Sequence, residues 1–576
     1  GITDTSANLT DGTGISTNLT NLTNNGGADN INVTVANGDG TVTAAQGAAI
    51  VGVIGTGTMT ITDGVSDTSA NLIAGTFGNI TTIVGKTNNI KITQASGTLS
   101  ISNGATLADK TSGTVTYTGG ISDLSGNIND TKLAKIQTED ADFAITISST
   151  INVSQGTTVA GRTTGTVTFS GGLSDSSDNL KAGSFAGVTT IKTEDADVNI
   201  TQASGTLTID EGNTLAGLTT GTIFYTGGIS DVAAGVDATK LGTIQTEDDD
   251  FALTITDAIT LADAKIVAGK TAGTIQFTAG LQDTISNLQA GTAEYADLDI
   301  VVAKDSDIKI AITDAVDVAD GAAVCGKTTG NVTFSGGVSD THANMINEAA
   351  ISTNLATILA DGGADAVNIT ISDTVDNITD NEVTAINLIG NSTTGSFTVT
   401  LDGNNAQLAN LTANASQAAG CAYTITVDDK VSLSEAIVIC GKTSGNVGFA
   451  GKVEDSLTNY ATGSYANLDA VVNKDDDVQL NISDAAFNPG TNNVTVNPTV
   501  LSTIGGKTTG TVTVNNAVKI QGNEADITAA LVTAASAVVA ASALVVINDT
   551  PTIAELNAIS AKAGETTAEI AAAAAA

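Results

Sequence analysis

Apolar and polar residues alternate over short stretches along most of the chain. Thr166-Val167-Thr168-Phe169, Thr114-Val115-Thr116-Tyr117 and Asn331-Val332-Thr333-Phe334 put every second side chain on one face, the period of a half-buried strand. Val198-Asn199-Ile200-Thr201, Phe143-Ala144-Ile145-Thr146-Ile147 and Thr206-Leu207-Thr208-Ile209 read as further strands. Gly119-Gly120 and Gly171-Gly172 punctuate the first group. Asp67-Thr68-Ser69-Ala70-Asn71-Leu72 opens on an N-cap residue and predicts one short helical turn. Near the end the pattern changes. Pro551 suits the first position of a helix, and Ile553, Leu556 and Ile559 follow at near-helical spacing. Upstream, Ile527 to Ile547 is uncharged and about long enough to span a bilayer. Its many Ala, Ser and Thr residues predict a packed helix and strand instead.

These short elements belong to one recurring phrase. It runs Gly326-Lys327-Thr328-Thr329-Gly330-Asn331-Val332-Thr333-Phe334-Ser335-Gly336-Gly337-Val338-Ser339-Asp340, and returns from Gly161 to Asp175. Weaker copies start at Lys110, Gly217, Gly269, Gly441 and Gly506, with a degenerate one at Gly390. Spacings of about 50 to 65 residues are near the range of repeat arrays. Pairs of copies repeat at an offset of 108 residues, and residues 1–35 align without gaps on 337–371. The expected organisation is a first array over 1–336, a second over 337–520 and an Ala-rich, more helical segment over 521–576. The expected fold class is mainly β, a repeat-built β-solenoid-like array. Tandem β-sandwich domains of about 108 residues are the alternative. In either case one repeat is too small to bury its own apolar face, so stability accumulates by stacking.

Composition narrows the partners. The chain has 61 acidic and 21 basic residues, a net charge of -40. That charge repels nucleic acid and anionic membrane surfaces and favours divalent cations. Trp is absent and aromatics are 3%, so a core must be built from small and β-branched side chains. Three cysteines make no disulfide framework, and Cys325 and Cys440 stand where other copies carry Ala160, Ala216 and Ala268. A Cys421–Cys440 bridge is left open. The chain starts inside a repeat, because Gly1 to Leu9 matches Gly64 to Leu72, and Gly564-Glu565-Thr566-Thr567 begins to resemble another copy before the alanines of 571–576. A segment of a longer polypeptide, or a matured one, is the expectation.

Gly321-Ala322-Ala323-Val324-Cys325-Gly326-Lys327-Thr328 satisfies the phosphate-binding pattern G-x-x-x-x-G-K-[ST]. That loop needs a helix after it, whereas a strand follows here, and sister copies carry Ala264, Ala436 or Leu501 at the first glycine. Nucleotide binding is not expected. His342 is the sole histidine, in an expected surface turn, and supplies no His-Cys zinc set or hydrolase triad. No enzyme is expected.

The acidic runs are the strongest candidate chemistry. Glu139, Asp140 and Asp142; Glu194, Asp195 and Asp197; and Glu247, Asp248 and Asp250 each recur just before a strand. Asp305 with Asp307, and Asp475 with Asp477, occupy the same place later. Carboxylates spaced in this way can converge on Ca²⁺, a hard cation that takes oxygen ligands. A solvated acidic edge that prevents lateral aggregation is the competing reading. The Ca²⁺ nonapeptide is absent; Gly26-Gly27-Ala28-Asp29 and Gly362-Gly363-Ala364-Asp365 only approach it. Asp67, Asp123, Asp175, Asp231, Asp283, Asp340 and Asp455, in the Ser-Asp turn or its counterparts, are as suited to capping a turn as to binding metal.

The phrases Gly64 to Leu72 and Gly326 to Phe334 resemble repeats of very large secreted surface proteins of bacteria, notably cyanobacteria and proteobacteria. The resemblance implies export, a cell-surface location and a scaffold or adhesive role, often with Ca²⁺. The expected function is an extracellular structural protein that self-assembles into a surface layer, sheath or filament with calcium-bridged acidic loops. Its partners would be further copies of itself and cell-surface polysaccharide. An adhesin or phage-type fibre stalk is the alternative.

Overall fold

The computed structural model describes residues 1–563 except 13, 26–29, 37–40, 362–365, 414–419 and 534–537. The glycine-rich stretches at 26–29 and 362–365, the start of a further copy at 564–567 and the terminal alanines therefore lie outside the described residues. The chain forms two compact bodies, Gly1–Ala279 and Gly280–Ala576.

Within each body the same repeat recurs. One repeat has a first strand Leu173–Ser176, a helix Ser177–Glu194, a second strand Ile200–Ser204, a short helix Ile209–Ala216 and a third strand Ile223–Phe224. The three strands are parallel, with Leu173 beside Ile200 and Ile200 beside Ile223. Every crossover is thus a helix, as parallel neighbours require. The residue before the N-cap of such a short helix also pairs with the first strand of the next repeat, as Ile151 does with Leu173 and Leu207 with Ile229. Two larger sheets vary the plan in the second body: five parallel strands that include Ile369–Val375, Ser396–Gly403 and Gly420–Val427, and four that begin at Val453–Asp455.

This architecture overturns the mainly β expectation. The chain is 39% helical and 23% strand, with small parallel sheets alternating with helices, so neither a β-solenoid nor a string of sandwiches is formed. The error lay in the short helices. Thr206-Leu207-Thr208-Ile209 alternates like a strand, yet only Leu207 makes a bridge, and Ile209 opens a helix. Thr208 caps that helix in a reciprocal capping box with Glu211, which satisfies two of its free N-terminal donors. Gly104, Gly156 and Gly212 sit inside such helices despite their poor helix propensity. A Cβ on Gly156 would stand 2.5 Å from Cδ1 of Ile191, so the missing side chain admits the neighbouring helix. Close packing therefore supports helices that composition disfavours.

In the described part of the terminal segment Glu524–Leu531 and Ile553–Ser560 are helical and Leu544–Ile547 is a strand. Pro551 precedes the N-cap Thr552 instead of opening the helix. Among the described residues no helix is long and apolar enough to cross a membrane. All three cysteines are free and buried, so the Cys421–Cys440 bridge is not formed.

Candidate functional site

The recurring phrase is a set of contacts between successive turns of the chain, and its residues can be read one at a time. Thr328 is buried, and its hydroxyl donates to the Ile308 carbonyl while accepting from the Gly330 amide. Thr111, Thr163, Thr219, Thr271, Thr443 and Thr508 make the same carbonyl bond, over 2.5–2.8 Å. The glycine two residues on faces the backbone of the preceding turn. A Cβ at Gly113, Gly165, Gly221, Gly273, Gly330, Gly445 or Gly510 would lie 2.0–2.4 Å from a main-chain oxygen there. No side chain fits at that distance. Lys327 reaches Asp299 at 2.8 Å and lies over the Tyr295 ring. Lys507 repeats both contacts with Asp469 and Tyr465, and Arg162 reaches Asp130 at 2.6 Å.

The aspartate that ends the phrase is a clamp. Asp67 Oδ2 accepts the Ala44 amide, the first of a helix in the preceding turn, while Oδ1 accepts the Thr68 amide and the Asn71 side chain. Asp123, Asp175, Asp231, Asp340 and Asp455 hold the first amides of helices at Ile101, Val153, Ile209, Val318 and Leu433, at 2.9–3.2 Å. A carboxylate at a helix N-terminus meets an unpaired donor and the positive end of the dipole. The turn reading of these aspartates therefore describes them, and the helix they cap belongs to an earlier turn as well as their own.

The acidic runs sit where a helix ends before the second strand, and five of their carboxylates accept backbone amides of the fold. Glu139 accepts the Val115 amide and Asp140 the Tyr117 amide, at 3.1 and 2.7 Å. Asp195, Asp248 and Asp475 likewise accept the amides of Phe169, Tyr225 and Phe449, at 2.6–2.8 Å. These bonds satisfy amides at the outer edge of the last strand in each of these four sheets. Glu194 and Glu247 are half-buried last residues of their helices. Asp305 is buried after the helix Ala296–Val302. Asp142, Asp197, Asp250, Asp307 and Asp477 are exposed in the following turns. Burial holds the Asp140, Asp195 and Asp248 carboxyls above the usual range, helped by the facing Asp142, Asp197 and Asp250. Burial and Asp477 push Asp475 up to about 6.

Among the described residues, one acidic group brings three carboxylates together. Asp248, Asp249 and Asp250 have oxygens within 4.8 Å of one another. The sequence reading named Asp248 and Asp250 but paired them with Glu247 instead of Asp249. Oxygen donors at this spacing fit a hard divalent cation, although one Asp248 oxygen already accepts the Tyr225 amide.

The remaining candidates are structural. Gly321 lies within the helix Val318–Cys325, Gly326 caps it, and a strand Val332–Phe334 follows, so the phosphate-loop order is reversed. His342 is paired through Nδ1 with Asp373 at 2.6 Å and is only partly exposed. The inter-turn pairs of a basic residue with an aspartate escaped sequence reading because their partners lie about 30 residues apart without a fixed offset. No protein-family model matches the chain, and no curated protein matches it.

Proposed function

We propose that the chain is a structural repeat protein of an extracellular assembly, a surface layer, sheath or filament built from copies of itself. The observation that carries this reading is the use of the repeated side chains. The threonine, glycine, basic residue and aspartate of the phrase are all spent on holding one turn to the next. Chemistry repeated in register along a chain serves stacking, and arrays of this kind grow by adding equivalent interfaces. Calcium enters the reading at Asp248, Asp249 and Asp250, where a cation would relieve the repulsion of three close carboxylates. Electron microscopy of the purified protein with Ca²⁺ and then with chelator tests both parts. Ordered sheets or filaments support the assembly, and their loss in chelator supports the cation. Isolated particles under both conditions refute the assembly and favour an adhesin.

A further inference from the structure

One turn of the second body departs from the repeat. In several turns an aspartate just after a strand takes the first amide of an earlier helix. Asp314 takes that of Ile285, Asp429 that of Asn405 and Asp484 that of Leu457, at 2.7–2.8 Å. Two residues after Asp314 and Asp429 come Val316 and Val431, which bridge to the first strand of the next repeat. Asp484 is followed by a hairpin instead, and the residue that pairs with the next repeat is Val496, beside Ile520. The insertion is anchored. The Asn488 and Asn492 main chains exchange bonds at 2.8 Å, and the Phe487 amide donates to the Ala517 carbonyl. The Asn492 side chain donates to the Ala485 and Ala486 carbonyls, and Lys519 lies over the Phe487 ring. In repeat arrays such insertions gather on one face, often the binding face.

Beside the insertion opens a cleft of 460 Å³. One wall is the helix Leu457–Ala461 with Asp484, and the other is Val494 to Asn497 with Val500. Four consecutive residues on one wall mean that the strand is met along its edge, because a face shows only alternate side chains. Thr495–Val496 is the outermost strand of its sheet. In a sister turn Ile151 spends both its N–H and its C=O on the neighbouring strand, bonding Gly172 and Ser174. Val496 stands in that place, so the main-chain groups of Thr495 point to the opposite edge. Thr495 is exposed there, and Val494 beside it is 63% exposed.

The charge of the cleft has one sign. Asp484 Oδ2 takes the Leu457 amide, and Oδ1 has no partner among the described residues. Among the described residues no Lys, Arg or His lines the cleft. Its apolar surface is aliphatic, from Leu457, Ala461, Val494, Val496 and Val500.

We propose that this cleft binds an extended, basic segment of another polypeptide, added as a strand to the outer edge of Thr495–Val496. The Thr495 N–H and C=O pair with its main chain. A lysine of the segment sets its ammonium on Asp484 and its methylene stem against Val494 and Val500, and an alternate aliphatic residue enters between Leu457 and Val496. Strand addition draws affinity from the main chain and specificity from the pockets for alternate side chains. An exposed edge is a template for such pairing. The unpaired carboxylate oxygen and the net charge of -40 attract a basic segment and repel an acidic one. The site goes beyond the assembly reading and does not depend on it.

Isothermal titration calorimetry of the whole chain tests it, with an acetylated and amidated pentapeptide of threonine that carries valine second and lysine fourth. The expected result is saturable binding, weakened about fivefold or more by Asp484→Asn and about tenfold or more by Val494→Lys. Asp484→Asn keeps an oxygen for the Leu457 amide and Val494 is exposed, so circular dichroism of both variants should match the parent. A peptide with glutamate in place of lysine, or one methylated on its main-chain nitrogens, should lose the binding. No saturable heat from the parent at millimolar peptide overturns the site. Binding that both substitutions leave unchanged overturns its location, and binding that survives methylation overturns strand addition. A glutamate peptide that binds as well as the lysine peptide overturns the basic occupant.

Discussion

Replacing Asp67 by Ala tests whether the clamp holds one turn to the next. The carboxylate accepts the Ala44 amide at 2.9 Å, the Thr68 amide at 2.8 Å and the Asn71 side chain at 2.7 Å. Asp67 is 7% exposed and Ala44 0%, so the Ala44 amide cannot turn to water when its acceptor is removed. An unsatisfied buried donor costs about 1–3 kcal/mol, and the two remaining bonds, which water partly replaces, add about 0.5 kcal/mol each. The sum is about 2–4 kcal/mol, a change of about 30- to 700-fold in the equilibrium for local opening. A repeat array does not unfold as one two-state unit, so a global midpoint would blur the effect. Hydrogen exchange read by mass spectrometry over the helix Ala44–Val53 resolves it. Protection there should fall by that factor, while the distant strand Ile200–Ser204 stays unchanged. Asn71→Ala removes a single bond and should cost less than tenfold. Protection of Ala44–Val53 within about threefold of the parent in Asp67→Ala would refute the clamp.

The glycine after the buried threonine should tolerate no side chain: Gly165→Ala sets a Cβ 2.0 Å from the Asp142 oxygen, and increased proteolysis at the 142–165 contact is the expected result. Asp475 binds its proton more tightly in the folded chain, so the folded state is favoured below 3.8 and loses that advantage as pH rises to about 6. Asp477→Asn removes the facing carboxylate and should shrink this loss, measured as urea resistance of the second body at several pH values between those limits. If calcium binds at Asp248, Asp249 and Asp250, Asp249→Asn should weaken its binding by isothermal titration calorimetry at least tenfold, and heat unchanged by the substitution would remove that site.

The strands were legible because Val332-Thr333-Phe334 and its sisters alternate cleanly, and the repeat was legible because its phrase recurs. The helices were not. Eight-residue helices such as Val153–Ala160 carry Gly, Ser and Thr, which raise no helical signal above their strand-like flanks. The capping pairs Thr208 with Glu211, Asn152 with Gln155 and Ser432 with Glu435 were the available clue. The long helix Ser177–Glu194 hides for another reason. Gly183, Ser184 and Phe185 all have positive φ, so two helical segments meet there at a kink and no single helical period runs through the stretch. The acidic runs could be read from the sequence, but the backbone partners of their carboxylates could not. Sequence spacing puts Asp195 near Asp197, but nothing in the spacing shows that the Phe169 amide, 26 residues away, takes its oxygen.

One departure from the phrase argues that its aspartate serves geometry rather than a ligand. In the helix Pro498–Gly505 the first residue is proline, which has no amide to offer. The second strand after it, Lys519–Gly522, pairs Ile520 with Val496, the residue before the N-cap of that helix, as Leu173 pairs with Ile151. The clamp position on that strand is Gly522 instead of aspartate. A Cβ there would stand 2.5 Å from Cγ of Pro498, so the ring occupies the space that the carboxylate uses elsewhere. A metal-binding or catalytic aspartate would have no reason to vanish where a distant residue loses its N–H. A capping aspartate does, because its donor is gone and its room is filled. The donor and the acceptor disappear together, which is the behaviour expected of two halves of one joint.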